Sequence, residues 1–108
     1  MSATLDRVRE LARSGKAVVS EHAAQELLND DIYPPEILAG LSLAVMVEDY
    51  PDHPRGPCVL VLQRDSRAQP VHAVWRIPKG RTEPAVVVTA YRPDSSRWSA
   101  DFTRRLQR

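Results

Sequence analysis

The chain predicts an α+β fold in which N-terminal helices pack on a four-stranded, mostly antiparallel sheet with a short C-terminal helix. Three observations carry this. Residues 1–40 hold apolar residues at helical spacing, residues 43–92 hold runs rich in β-branched residues, and short polar loops separate those runs. Helices gathered before a run of strands place helices on one face of an antiparallel sheet. At 108 residues the chain fits a single domain spanning 1–108, with no composition break to divide it.

The elements follow in order. Leu5, Val8, Leu11 and Ala12 recur at three- and four-residue spacing, with Arg7, Arg9, Glu10 and Arg13 elsewhere around the wheel. This is an amphipathic helix, which Gly15 ends. After the apolar pair Val18 and Val19, Ser20 can cap a second helix, EHAAQELLND, that turns Ala23, Ala24, Leu27 and Leu28 to a core. Pro34 and Pro35 force the chain out of that helix and can open a short third one, PPEILAG, stopped at Gly40. Strands are then expected at LAVMVEDY (43–50), CVLVLQR (58–64), PVHAVWRI (70–77) and AVVVTAYR (85–92). The loops DSRAQ and PKGRTE suit antiparallel hairpins. A last helix is expected around SADFTRRLQ, with Ser99 as its cap and Trp98 pinning it to the sheet.

Composition narrows the function classes. A single cysteine, Cys58, set in an apolar run, builds no disulfide framework and suits a buried, reduced thiol in a cytoplasmic protein. The N-terminal residues mix charge with apolar residues and lack the apolar core of a secretory signal, and nothing is long enough to span a membrane. Net charge is +1, but it is divided unevenly. Residues 1–54 carry four Lys/Arg and ten Asp/Glu, whereas residues 55–108 carry eleven and four. Either the halves attract each other within one domain, or the basic half faces something anionic. No Gly-rich phosphate loop, nucleophile elbow or dinucleotide fingerprint occurs, so no nucleotide cofactor is expected. The three histidines have no metal-ligand spacing, and no metal is expected either.

Strand alternation then groups the polar side chains. Val71, Ala73, Trp75 and Ile77 fall on one face, His72, Val74 and Arg76 on the other. The same rule puts Val86, Val88 and Ala90 on one face of the next strand, with Val87, Thr89 and Tyr91 on its other face. If the two strands pair, His72 meets Thr89 and Tyr91. Imidazole, hydroxyl, phenol and guanidinium on one surface suit metal-independent RNA cleavage, in which a base takes the 2′-hydroxyl proton, an acid protonates the leaving oxygen and a cation stabilises the phosphorane. The plainer reading of the same residues is a half-solvated sheet face. His22, in the first turn of a helix whose dipole disfavours imidazolium, is either a neutral base or a packing group. His53 reads as a solvated loop residue. Arg104, Arg105 and Arg108 are either phosphate contacts or cations near a helix C-terminus.

Five short motifs in order, SEHA (20–23), EDYP (48–51), PVHAVW (70–75), VVTAYRPD (87–94) and the closing RW then DFTRR, resemble the small bacterial domain-of-unknown-function family numbered 4258. The resemblance covers residues 17–107. That family is similar to the RelE, BrnT and MqsR type of toxin, compact α+β ribonucleases of toxin and antitoxin pairs. It implies endonucleolytic cleavage of RNA without a metal, with a cognate antitoxin or other protein as partner. Carried over, the catalytic residues would be His22, His72, Thr89 and Tyr91, with Arg76, Lys79, Arg81 and Arg92 contacting RNA. One departure stands out. The family carries arginines three and seven residues beyond the motif alanine, where this chain has Glu26 and Asp30. Carboxylates there repel phosphate, so a catalytically silent module that docks a basic protein through an acidic helix face is the alternative expectation.

Overall fold

The computed structural model describes residues 2–106. Helix α1 (Ala3–Arg13) starts where Ser2 Oγ accepts a hydrogen bond from Leu5 N at 3.0 Å. Strand β1 (Ala17–Val19) leads into helix α2 (Glu21–Asn29), helix α3 (Pro35–Gly40) and a single 3-10 turn (Leu41–Leu43). Strands β2 (Val45–Tyr50), β3 (Cys58–Arg64), β4 (Pro70–Arg76) and β5 (Ala85–Tyr91) complete the sheet.

The fold is α+β with three helices among the described residues, but the sheet has five strands in the order β1-β5-β4-β3-β2. The expected count of four is corrected by β1. Its three residues are too short to carry a strand pattern, and they become a strand only because β5 lies alongside in parallel, Ala17 opposite Ala85 and Val19 opposite Val87. The other pairings are antiparallel, and both expected hairpins form.

The three helices lie over one face. Leu5 and Val8 of α1, Ala23 and Leu27 of α2, and Ile37 of α3 are buried in one cluster with Val59, Val61, Val71, Ala73 and Trp75. Two polar side chains at its centre are satisfied. Trp75 Nε1 donates to Gln63 Oε1 at 2.8 Å, and Gln63 Nε2 donates to the Ile37 carbonyl at 2.8 Å, which fastens α3 to the sheet. Cys58 is a free, buried thiol. No helix among the described residues is long and apolar enough to cross a membrane.

Two further expectations are corrected. Strict alternation along β5 fails at Val88, where the register jumps from Val74 opposite Thr89 to Trp75 opposite Val87. This bulge moves Val87 into the core with Ala85 and Ala90, while Thr89 and Tyr91 stay on the His72 face. The C-terminal helix is absent from the described residues. Asp101 Oδ1 accepts from the Ser99 and Thr103 hydroxyls, each at 2.7 Å, and from Thr103 N at 3.1 Å, while Ser99 Oγ accepts from Arg104 N. These local bonds offer the backbone a turn in place of a helix. They also hold the Asp101 carboxyl down to about 2. Phe102 takes a left-handed φ of 62°, and a lone bridge joins Trp98 to Arg105. Arg108 lies outside the described residues.

Candidate active surface at the end of strand β5

Strand β5 changes neighbours halfway along. As far as Val87 its edge is paired with β1; the chain then turns at Ser20, whose N–H donates to the Val87 carbonyl at 3.0 Å. Ser20 Oγ accepts from Ala23 N at 3.1 Å and so begins α2, which runs along the remainder of the edge. One helical turn separates His22 from Glu26. The Glu26 carboxylate reaches β5 and replaces the missing strand. Its Oε1 accepts from Ala90 N at 3.1 Å and from the Thr89 hydroxyl at 2.6 Å. His22 Nε2 lies 3.3 Å from the same oxygen, and the His22 side chain is 72% exposed.

Glu26 is therefore not a bare charge. It is a structural acceptor for an edge amide that would otherwise have no partner strand, and it holds one nitrogen of an exposed imidazole. The i,i+4 spacing of His22 and Glu26 is the signal in the sequence for this contact.

Across the sheet, Tyr91 stands opposite His72. His72 is fully buried, and both ring nitrogens are engaged: Nε2 lies 2.8 Å from the Phe102 carbonyl and Nδ1 lies 3.3 Å from the Tyr91 hydroxyl. A carbonyl can only accept, so Nε2 carries the proton and the Tyr91 hydroxyl donates to Nδ1. Burial pushes the His72 pKa down, opposed by the Phe102 carbonyl and the Glu48 carboxylate. Trp98 covers the ring edge-on, with centroids 4.4 Å apart. Burial likewise raises the Tyr91 phenol, which feels Arg105 on one side and the carboxylates of Glu48 and Glu26 on the other.

The cover over His72 is the segment 93–106, which crosses the second face of the sheet. Arg105 fastens it by two bonds to Glu48, 2.7 Å from Nε and 3.1 Å from a terminal nitrogen, and lies 4.7 Å from the centre of the Trp98 ring. The Arg105 guanidinium pulls the Glu48 carboxyl below the usual carboxylate range. Beside this segment opens a shallow cleft of about 340 Å³ lined by Tyr91, Arg92, Asp94, Arg97, Trp98 and Arg105.

The sequence-predicted site residues thus divide. His22, Thr89 and Tyr91 lie along the end of β5, the first two joined through Glu26. His72 reaches them only through the Tyr91 hydroxyl and from beneath Trp98. Among the predicted RNA contacts, Arg92 borders the cleft, where it donates to the Pro70 carbonyl and to Asp65 at 2.6 Å. Burial pushes the Asp65 carboxyl up, but Arg92 and the Gln69 and Arg67 amides outweigh it and hold the group low. Arg76 sits four residues along β4 from His72, about 13 Å away by strand rise, against His53 and Cys58 Sγ. Lys79 and Arg81 are exposed in the loop beyond it, at the opposite end of the sheet. Arg97 and Arg105, not Lys79 and Arg81, are the cations near Tyr91. Among the described residues, no group of three or more His, Cys, Asp or Glu side chains could hold a metal ion.

No curated protein and no solved structure matches the chain. A family model does, over residues 19–92, from the last residue of β1 to Arg92. That span contains His22, Glu26, His72, Thr89 and Tyr91 and stops short of the covering segment. On this match the chain belongs to the family described as Domain of unknown function (DUF4258).

Proposed function

We propose that the chain is a metal-independent endoribonuclease of the RelE type of toxin, acting on single-stranded RNA at the end of β5 and controlled by a cognate antitoxin. The observation that carries this reading is the exposed His22 imidazole held at 3.3 Å by Glu26, which is itself anchored to Thr89 on the strand that presents Tyr91. A carboxylate on one ring nitrogen orients the imidazole and leaves the other to take the 2′-hydroxyl proton. Tyr91 and Arg97, at the cleft, would contact the phosphate and its developing charge. His72 is a positioning residue in this scheme, because its Nδ1 fixes the direction of the Tyr91 hydroxyl. The helices packed on one face of a mostly antiparallel sheet support a RelE-like fold.

RNA cleavage by the purified protein in EDTA tests the reading. Wild type should cut RNA, and His22→Ala should lose about a hundredfold or more in rate, the usual worth of a positioned acid or base. Tyr91→Phe should lose rate as well, with a modest loss of stability from the His72 Nδ1 it leaves without a donor. If wild type leaves RNA intact, the protein-docking alternative gains, and one observation already favours it: Arg92 and Arg105 are each paired with a carboxylate, Asp65 and Glu48. In that case the acidic end of α2, with Asp30 and the exposed Asp31, should capture a basic protein partner, and reversing those charges should abolish capture.

A further inference from the structure

The segment 93–106 does not close the whole of the second sheet face. Its contacts fall on His72, through Phe102 and Trp98, and on Glu48, through Arg105. Toward the other end of the sheet, one residue from every strand lines up in a row: Tyr50 opposite Cys58, Cys58 opposite Arg76, Arg76 opposite Val86, and Val86 opposite Val18. Arg76 and Val86 are half-buried, and Cys58 is buried with its Sγ 3.8 Å from a terminal nitrogen of Arg76. A sheet face normally carries a second layer. Tyr50 is 44% and Val18 47% exposed, so the row lacks that layer at both ends.

The charge at this end of the sheet is one-sided. The loops 51–57 and 78–84 leave the strands here and are zipped together, Ile77 N donating to the Pro57 carbonyl and Lys79 N to the Arg55 carbonyl, each at 3.0 Å. Gly56, at a φ of 118°, permits the approach, since a Cβ there would stand 2.2 Å from the Ile77 carbonyl oxygen. The resulting ledge carries Arg55, Lys79 and Arg81, all exposed, beside Arg76. None of these four cations has a carboxylate partner among the described residues, and Arg76 Nε is buried without any hydrogen-bond partner. The carboxylates nearby are engaged or turned away. Glu83 is tied to Lys16 at 2.9 Å and Glu48 to Arg105 at 2.7 Å. Asp49, opposite Val59, faces the helix-covered side, and Glu21 begins α2 toward the Tyr91 end of the sheet. Asp52 is the one carboxylate of the ledge without a cation partner among the described residues, against four such cations.

We propose that this row binds an acidic amphipathic helix of a partner protein, laid across the strands as the missing layer. The row spans four strand spacings, about 19 Å, the length of roughly 13 helical residues. Apolar side chains of the helix cover Val18, Val86 and Tyr50. Its carboxylates meet Arg76, whose planar guanidinium suits a bidentate pair, and the three cations of the ledge. The aliphatic character of the row favours a protein over a nucleic acid. Val18 and Val86 offer no ring for a base to stack on, and Tyr50, the single aromatic of the row, has its hydroxyl bonded to Glu48. The inference is independent of the ribonuclease reading, since no residue of the cleft at Tyr91 belongs to the row or the ledge.

The test adds to the full chain a helical peptide of about 13 residues, leucine on one face and glutamate on the other, or its counterpart with lysine for glutamate, and follows backbone amide shifts. The glutamate peptide should shift the amides of Tyr50, Cys58, Arg76, Val86 and Val18, and the lysine peptide should leave them unchanged. Val18→Asp and Lys79→Glu, both at exposed positions, should each weaken binding about tenfold or more, and Arg76→Gln at least as much. No shift with the glutamate peptide, equal shifts with both peptides, or an affinity that Val18→Asp and Arg76→Gln leave unchanged would overturn the proposal. So would an oligouridylate that shifts the same amides and displaces the glutamate peptide, which would make the row a nucleic-acid surface.

Discussion

The two faces of the sheet are closed by different forces. Over one lie three helices whose contacts with the strands are mostly apolar, with Gln63 and Glu26 as polar contacts that carry α3 and α2 to the sheet. Over the other lies the irregular segment 93–106, held by a buried imidazole, the Arg105–Glu48 ion pair and one tryptophan. The first closure depends mainly on area removed from water and responds little to pH. The second depends on protonation and charge, so it is the face that conditions can loosen, and it is also the face that presents Thr89 and Tyr91.

The largest expected effect separates the faces by stability. Trp75→Ala removes a fully buried ring from the helix-covered face and leaves Gln63 Oε1 without its donor, so it should cost about 3–5 kcal/mol in urea unfolding. His72→Ala, on the other face, should cost less, about 2–3 kcal/mol, because the Phe102 carbonyl and the Tyr91 hydroxyl lose a shared partner. Equal losses would mean that the second face is closed as tightly as the first.

The pH dependence should distinguish them next. Burial lowers the folded-state pKa of His72 below its unfolded value, so the unfolded chain binds this proton more readily. Its stabilising contribution is complete above the ordinary histidine range and declines as pH falls from about 6.5. The depressed carboxyls of Asp65 and Glu48 add a loss of the same sign at lower pH, below their ordinary range. The urea midpoint should therefore fall between pH 7 and 5.5 in wild type, and the slope should flatten in His72→Gln while persisting in Trp75→Phe.

Smaller effects sharpen the contrast further. Arg105→Ala breaks a largely exposed ion pair with Glu48, so a loss under about 1 kcal/mol is expected, reduced further by salt. Its clearer signature should be faster hydrogen exchange at residues 97–105, with the helix-covered strands unchanged. His22→Ala should leave the unfolding midpoint where it is, since the ring is exposed and bonds only to Glu26. Glu26→Ala should destabilise measurably, because Ala90 N and the Thr89 hydroxyl lose their acceptor.

Much of this architecture was legible along the chain. The helix starts at Ser2 and Ser20, the proline-led α3, the β3–β4 and β4–β5 hairpins and the grouping of His72 with Tyr91 all follow from caps, breakers and strand alternation, which act over a few residues. Strand β1 and the bulge at Val88 did not follow, because each exists through a distant neighbour. The role of Glu26 is hidden for the same reason: its charge is visible in the sequence, but its bonds run to residues 63 and 64 positions away.

By itself, then, the chain determined its fold class, its apolar core face and the candidacy of both histidines, since periodicity and side-chain chemistry are local properties. Only the tertiary structure decided that His22 is exposed beside a carboxylate and His72 is sealed beneath Trp98. The physical reason is that exposure and hydrogen-bond partnership depend on what a distant segment brings alongside. Two identical imidazoles therefore leave the sequence equivalent and enter the fold as different chemical groups.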